Sequence, residues 1–175
     1  MSSELFDIVD ENNIPLNITK ERSLVHNDGD WHNSVHIYVL NDNDEFLVHL
    51  RSPHKDLHPN CWDTRFGGHI VAGHTIEITA VKELEEEIGI KIRYEELTKG
   101  EVHRWDGKTN REFNNVYYYK FRIGDVIKFN DNEVVEVKWM PVEAIIKSIE
   151  NNPNEWTSRV VTIKRVYEFW KKLNI

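Results

Sequence analysis

Cysteine is nearly absent from this chain: Cys61 is the single one among 175 residues, so no disulfide can form within the chain. The sequence also lacks an apolar run of about 20 residues, which a membrane-spanning helix requires. Residues 1–13 lack the basic and then apolar order of a signal peptide. Basic residues are too few for a phosphate backbone or an anionic membrane, since 22 Lys and Arg face 30 Asp and Glu. These absences predict a protein of the reducing cytoplasm that binds neither nucleic acid nor membranes.

The length of the chain predicts one domain over residues 1–175, and six Trp, six Tyr and seven Phe supply large side chains for its core. The predicted strands, from apolar alternation and turn residues, are Glu4–Asn13 (a short strand or edge segment), Val35–Leu40, Phe46–Leu50, Trp62–Gly67, Lys91–Leu97 (strand and turn), Val102–Trp105, Phe113–Ile123 and Glu133–Met140. The predicted helices are Thr75–Ile88, one from Pro141 to about Ile149, and Thr157–Leu173. Segment Leu24–Asp30 is predicted to be a strand end that runs into a turn. Strands interleaved with helices indicate a mixed α/β sandwich.

The predicted helix Thr75–Ile88 carries a concentration of carboxylates. Helical spacing places Glu83, Glu86 and Glu87 on one face, with apolar residues on the other. Like charges at these spacings destabilise a helix by about 0.2–0.5 kcal/mol per pair, and the helix dipole disfavours anions in the C-terminal half. A bound cation would relieve both effects, and carboxylate oxygens suit Mg²⁺ or Mn²⁺. Taken alone, the same face also fits a solvated acidic surface.

A glycine-rich loop, GGHIVAGHT, precedes this helix and allows the backbone to turn tightly and approach a ligand. Loop and helix together resemble the signature of the Nudix family, which is Gly, five residues, Glu, seven residues, then Arg-Glu-aliphatic-x-Glu-Glu-x-Gly-aliphatic. The residues in register are Gly68, Glu83, Leu84, Glu86, Glu87, Gly89 and Ile90. The resemblance implies an α/β/α sandwich with a mixed sheet between helices. It also implies a metal site at Glu83, Glu86 and Glu87, and substrate contacts at Gly67 and Gly68.

Two positions depart from that signature. His74 stands where the family has its first Glu, and Lys82 stands where it has Arg. In the family these two positions look structural, supporting the loop and the helix by charge and hydrogen bonding. Replacing Arg by Lys removes a planar fork of donors, so we expect a looser support around an intact set of metal-binding glutamates.

Three histidines, His26, His32 and His69, suggest a second metal site, although a single histidine is more often exposed or satisfied by hydrogen bonds. Their order along the chain with Arg51 and Lys55 resembles the Nudix branch that includes isopentenyl diphosphate isomerase. The resemblance implies that the histidines bind a metal and that Arg51 and Lys55 contact a substrate diphosphate.

The isomerase also has a catalytic cysteine four or five residues after the tryptophan that matches Trp62, where this chain has Phe66 and Gly67. Cys61 precedes Trp62, so on an alternating strand its thiol would project from a different place. Isomerisation needs an acid and a base across an allyl group, and without the thiol that pair is incomplete. Hydrolase-like members of the branch share a pattern that this chain carries at Trp62, Asp63, Thr64, Gly67, Gly68 and His69.

The sequence therefore predicts a Mg²⁺- or Mn²⁺-dependent Nudix-type hydrolase that cleaves a phosphoanhydride bond in a small diphosphate compound, often a nucleoside diphosphate linked to another moiety. We expect Glu87 or Glu86 to act as the base that deprotonates the attacking water, with Glu112 as a second candidate. An isomerase-like enzyme and a Nudix module that binds a nucleotide without cleaving it are the alternatives. The number of subunits is left open by the sequence.

Overall fold

The computed structural model describes residues 4–55, 57–129 and 132–173. Its strands are β1 (Leu5–Val9), β2 (Pro15–Glu21), β3 (Trp31–Leu40), β4 (Phe46–Arg51), β5 (Trp62–Asp63), β6 (Thr98–Asp106), β7 (Arg111–Lys120) and β8 (Val134–Met140). Its α-helices are α1 (Arg22–Asp28), α2 (Ile76–Ile88), α3 (Val142–Asn151) and α4 (Val160–Lys172), and 3-10 turns lie at Tyr94–Glu96 and Pro153–Glu155. Within the described ranges, none of the helices has the length and apolar content to cross a membrane.

These strands form one mixed sheet. Strands β3 and β7 lie at its centre and pair in parallel along their whole lengths, from Trp31 beside Arg111 to Leu40 beside Lys120. Strand β6 pairs with the other edge of β7, while β1 and then β2 continue the sheet from the start of β3. Strand β4 joins the end of β3 and is flanked by β5 and β8. The parallel register brings the N-terminal halves of β3 and β7 side by side.

Successive side chains of β3 point into two different apolar cores, as expected for a strand with helices on both faces. One core lies between the sheet and α2 and contains Ile37 and Leu84. The other lies between the sheet and helices α3 and α4 and contains Tyr38, Ile145 and Trp170. Helices on both faces of a mixed sheet confirm the predicted α/β/α sandwich.

The structure corrects the prediction for segment Leu24–Asp30, which is not a strand end. It belongs mostly to α1, whose single buried residue is Val25. Gly29 follows the helix with a φ of 70°, and its N–H donates to the carbonyl of Val25. The Asn-Asp-Gly sequence therefore ends a helix through a left-handed glycine, rather than forming a turn after a strand.

Three further differences concern strands. Segment 15–21 forms β2, although Pro15 favours a break; β2 lies at the edge of the sheet, where a missing N–H is tolerated. Predicted strand Lys91–Leu97 contains instead the 3-10 turn Tyr94–Glu96. Predicted strand Trp62–Gly67 is regular only over Trp62–Asp63, after which the chain touches β3 through single bridges.

Candidate active site

Helix α2 forms as its sequence predicts. The hydroxyl of Thr75 accepts a hydrogen bond from the N–H of Ile78 at 3.3 Å, and Gly89 ends the helix with a φ of 72°. Leu84 is fully buried against the sheet. The helix therefore holds its acidic face in a fixed orientation toward the glycine loop.

Two of the three glutamates contact that loop directly. Glu87 is only 4 % exposed, and its carboxylate accepts a hydrogen bond from the N–H of Gly67 at 3.0 Å. Glu83 packs against Gly68 so closely that a Cβ at position 68 would lie 2.9 Å from its carboxylate oxygen. The loop and the helix thus form one unit, and glycine at position 68 is what permits the close approach.

The electrostatics of this unit favour a cation. Burial, together with the charge of Glu86, raises the pKa of Glu83 to about 7. Burial and the neighbouring Glu83 raise the pKa of Glu87 well above its ordinary value. Carboxyl groups that are buried beside like charges are stabilised in their ionised form by a nearby positive charge. An all-oxygen donor set of this kind fits Mg²⁺ or Mn²⁺.

Of the two residues that depart from the Nudix signature, Lys82 has a defined contact. Its ammonium group lies 3.2 Å from the carboxylate of Glu86, one helical turn away, and both side chains are about half exposed. His74 is exposed, and its backbone N–H donates to the carbonyl of Val71. Lys82 therefore compensates part of the negative charge of Glu86, and both groups stay accessible to solvent.

The three candidate histidines come together with Glu112. His26 lies on α1, His32 on β3, His69 in the glycine loop and Glu112 on β7, and one ligand atom from each falls within 4.8 Å of the others. The Nε2 atoms of His26 and His32 are buried and have no hydrogen-bond partner among the described residues. The His69 ring lies 3.1 Å from the Glu112 carboxylate. Three imidazoles and one carboxylate can hold a divalent metal ion such as Mn²⁺ or Zn²⁺.

The protonation states in this cluster suit a metal ion as well. Burial lowers the pKa of His26 to about 4 and also lowers the pKa of His32, so both rings are neutral near pH 7. Burial alone would raise the pKa of Glu112, but the hydrogen bond and charge of His69 outweigh it and hold that pKa below its ordinary value. Neutral imidazoles and an ionised carboxylate are the ligand forms that metals bind. Glu112 also accepts hydrogen bonds from Ser34, Asn110 and Asn114, so among the described residues it is held by β3, by β7 and the segment before it, and by the histidines, not by helix α2.

Of the two predicted phosphate ligands, Arg51 is the last residue of β4 and Lys55 lies in the loop that follows. Arg51 donates to the carbonyls of Leu57 at 3.0 Å and His58 at 3.3 Å, so its guanidinium closes this loop. Lys55 forms an ion pair with Glu133. Both side chains also line a cavity of about 680 Å³, where a substrate phosphate would compete with Glu133 for Lys55.

That cavity connects the separate groups. Its lining residues include Gly67, Gly68, His69, Glu83, Glu86 and Glu112. Two further lining residues, Arg65 and His36, escape sequence reasoning because their positions depend on the sheet. The only signal in the sequence is that Arg65 falls between Thr64 and Gly67 of the predicted site segment.

The chain is similar in sequence to known proteins along most of its length. The sequence model of the NUDIX domain matches residues 30–160. Nudix hydrolase 3 of Arabidopsis thaliana is 35% identical over 153 residues; the match covers 82% of this chain, which spans 20% of that longer protein. An isopentenyl-diphosphate Delta-isomerase of Paenarthrobacter aurescens is 25% identical, with 89% of this chain and 86% of the isomerase covered.

Among solved structures, DR0079 from Deinococcus radiodurans superimposes with a TM-score of 0.71 at 22% identity, covering 93% of this chain and 98% of that one. This likeness supports the fold. Enzymes of the Nudix hydrolase family generally use divalent metals and act on small diphosphate compounds. With the family signature on α2 and the domain match over residues 30–160, the chain belongs to the Nudix hydrolase family.

Proposed function

We propose that the protein is a divalent-metal-dependent hydrolase that cleaves a phosphoanhydride bond in a small diphosphate compound, with a nucleoside diphosphate linked to another moiety as the favoured class. The observation that carries this proposal is the unit of loop and helix, in which Gly67 and Gly68 pack directly on Glu87 and Glu83. A backbone that approaches two of the three carboxylates this closely leaves space for a cation and a phosphate group beside them.

The residues of that unit would bind the metal and accept a proton. Glu83, Glu86 and Glu87 would hold Mg²⁺ or Mn²⁺, which would neutralise the diphosphate and make water a stronger nucleophile. Water attacks phosphorus, a new phosphorus–oxygen bond forms, and the anhydride bond breaks. Of the two carboxylates favoured as base, Glu86 is exposed and lines the cavity, whereas Glu87 is enclosed and held by Gly67. Glu86 is therefore the better placed to accept the proton from water.

The second metal site is proposed at His26, His32, His69 and Glu112. The unpartnered Nε2 atoms of His26 and His32 are its strongest support, because buried polar atoms without partners are rare in folded proteins. Glu112, ionised and hydrogen-bonded by His69, fits this cluster better than the role of general base. A metal here would face the same cavity as the α2 glutamates, through His69 and Glu112.

Substrate phosphate would be held by Arg51 and Lys55 and by the backbone of Gly67 and Gly68. Arg51 and Lys55 both face the cavity, and Arg can bind a phosphate with two parallel hydrogen bonds. Lys55 would exchange its Glu133 partner for the substrate, since a phosphate carries more charge than a carboxylate.

One observation speaks against the isomerase alternative. Gly67, one of the two positions where the isomerase cysteine would fall, has a φ of 128°, and a Cβ there would lie 2.1 Å from the carbonyl oxygen of Val35. No side chain fits at that distance, so this backbone excludes a thiol at position 67. The hydrolase reaction does not require one.

The test is turnover of a panel of nucleoside diphosphate compounds with Mg²⁺ or Mn²⁺, with separation of the phosphate-bearing products. We expect Glu86→Gln to lower kcat by at least about 100-fold, as loss of a general base typically does. Glu85→Gln is the matched control, because Glu85 lies on the same helix but pairs with Lys91 at 2.8 Å. If no compound is cleaved with either metal although some bind, the protein is a binding module and this proposal is wrong.

A further inference from the structure

Arg65 lines the cavity but has no part in the proposed reaction. Antiparallel bridges between Phe66 and Ile37, and between His69 and Ser34, set the glycine segment alongside β3. Continuing this register places Arg65 opposite Tyr38, and alternation turns its side chain to the face of the sheet that carries His69. Arg65 and His69 accordingly line the same cavity.

Asp63 fixes the position of the Arg65 guanidinium. The Asp63 carboxylate accepts hydrogen bonds from the backbone N–H of Arg65 at 3.0 Å, from Nε at 3.1 Å and from Nη2 at 3.2 Å. The hydroxyl of Ser158 donates to the same carboxylate at 3.4 Å. A planar fork held along one edge in this way loses little further conformational entropy when it binds a ligand.

The other edge of the guanidinium is available. The Arg65 side chain is 31% exposed, whereas that of Asp63 is 3% exposed. Among the described residues, the Nη1 atom of Arg65 has no hydrogen-bond partner, although a guanidinium carries five N–H donors. A pair that served the core alone would enclose both partners, whereas here both residues line the cavity and Arg65 is the more exposed of the two.

The charge of Arg65 is compensated by Asp63 and, more weakly, by Glu112, so a ligand would be recognised by the free donors of the guanidinium. Burial, with the charge of Arg65, lowers the pKa of His36 to about 3, so this lining residue is a neutral hydrogen-bonding group. Asn110 also lines the cavity, and its buried Oδ1 has no partner among the described residues. A ligand group that offers an anion to Arg65 and a hydroxyl to Asn110 would satisfy both, and a phosphorylated sugar has that combination.

We propose that Arg65, positioned by Asp63, binds a second phosphate group on the sugar moiety of the substrate, separate from the diphosphate that is cleaved. This proposal rests on the proposed hydrolase function and deepens it. It selects nucleoside diphosphate compounds that carry an additional ribose phosphate over otherwise identical compounds that lack it.

The experiment uses two matched pairs of probes, each differing by one ribose phosphate: NADPH with NADH, and coenzyme A with dephospho-coenzyme A. For the parent protein we expect kcat/KM to be about tenfold or more higher on the phosphorylated member of at least one pair, as for a charge-assisted hydrogen bond. Arg65→Gln should abolish that preference through KM, while kcat/KM on the unphosphorylated member stays within about twofold. Arg65→Lys should restore part of the preference, since it keeps the charge but loses the fork.

Controls separate binding from folding. Arg93→Gln removes an equal charge from a side chain that is 81% exposed, and it should leave the preference intact. Thermal melting of each variant reports folding independently. An equal loss on both members of a pair, together with a lower melting temperature, would mean that Arg65 is structural and would overturn the proposal.

Binding measured by calorimetry with Ca²⁺ in place of Mg²⁺ keeps the proposal testable if turnover is absent. Failure of the hydrolase function would appear as no cleavage of any diphosphate compound. Failure of the Arg65 proposal would appear as equal affinity for both members of each pair, or as binding of neither. A preference in binding that Arg65→Gln removes would support the subsite even without turnover.

Discussion

At position 67 a single backbone conformation decides which side chains the site can accept. Gly67 combines a φ of 128° with a would-be Cβ contact of 2.1 Å to the carbonyl of Val35. We expect Gly67→Ala to lower the free energy of unfolding by more than about 2 kcal/mol, measured by urea denaturation, because strain and steric overlap act together. The same change should abolish hydrolysis, since the N–H of residue 67 positions Glu87.

Gly73 provides the matched control for that substitution. It also has a positive φ, of 79°, but a Cβ there would meet no atom within 4 Å. Gly73→Ala should therefore lower the free energy of unfolding only by the strain of the left-handed backbone, about 1–2 kcal/mol. Equal losses of stability in the two variants would show that the contact with Val35 relaxes easily, and would remove the steric argument against a side chain at position 67.

At the scale of the element, helix α2 links pH, metal and stability. The pKa of Glu83 is raised from 4.5 to about 7 in the folded protein. Between these pH values the folded state keeps a proton that the unfolded chain releases, so this group lowers the free energy of unfolding as pH rises. Without metal, Glu83→Gln should therefore become more stable relative to the parent protein as pH rises from about 4.5 to 7.

Divalent cations should reverse this difference in stability between Glu83→Gln and the parent protein. If the α2 glutamates bind Mg²⁺ as proposed, millimolar Mg²⁺ would bind only the folded state and should raise the melting temperature of the parent protein near pH 8 by a few degrees. Glu83→Gln should lose most of this gain, while Glu85→Gln should keep it. Thermal melting across pH, with Mg²⁺ or with a chelator, measures both effects. Parallel pH curves for the parent and Glu83→Gln would contradict the assignment of a raised pKa to this group.

The elements that sequence reasoning predicts well are those specified locally. Helix α2 has an apolar stripe, a capping residue at Thr75 and a left-handed glycine at Gly89, so its sequence alone defines it. Helix α1 buries only Val25, which packs with Phe6 and Ile8 of β1, and β2 is exposed along nearly its whole length and is held by pairing with β1. Such short elements carry weak local signals because tertiary contacts stabilise them.

The same distinction applies to the site. Glu83, Glu86 and Glu87 lie within one helical turn or so, and helical spacing is enough to predict that they share a face. Arg65 becomes notable only because Asp63 is buried beside it, and that burial depends on the segment before α4, where Ser158 donates to Asp63. The position of Glu112 beside the histidines is likewise hidden from the sequence. It follows from the parallel register of β3 and β7, which no local pattern specifies, so the sequence alone suggests only a candidate base.

At the scale of the whole molecule, the histidine cluster depends on the complete fold. Its ligands come from α1, β3, the glycine loop and β7, and Phe6 of β1 packs against the rings of His32 and His69 at 5.4 and 4.8 Å between centroids. A metal ion bound here would therefore connect elements that are far apart in the chain. Cross-links between distant segments stabilise a fold by mass action when the ion binds only the folded state.

We expect the protein, loaded with Mn²⁺ and then dialysed, to retain one more equivalent of metal than His32→Gln. His32 is 1% exposed, and its Nε2 lies 3.7 Å from Glu112 without a hydrogen-bond partner among the described residues. His74→Gln is the control, since His74 is exposed, and its metal content should match that of the parent protein. The low pKa of His26, about 4, means that protons compete weakly for its ring, so retention should persist at pH 6. Elemental analysis of the metal content of the parent, His32→Gln, His74→Gln and Glu83→Gln measures this retention. If His32→Gln retains as much Mn²⁺ as the parent while Glu83→Gln loses it all, the α2 glutamates are the sole metal site and the histidine cluster is structural.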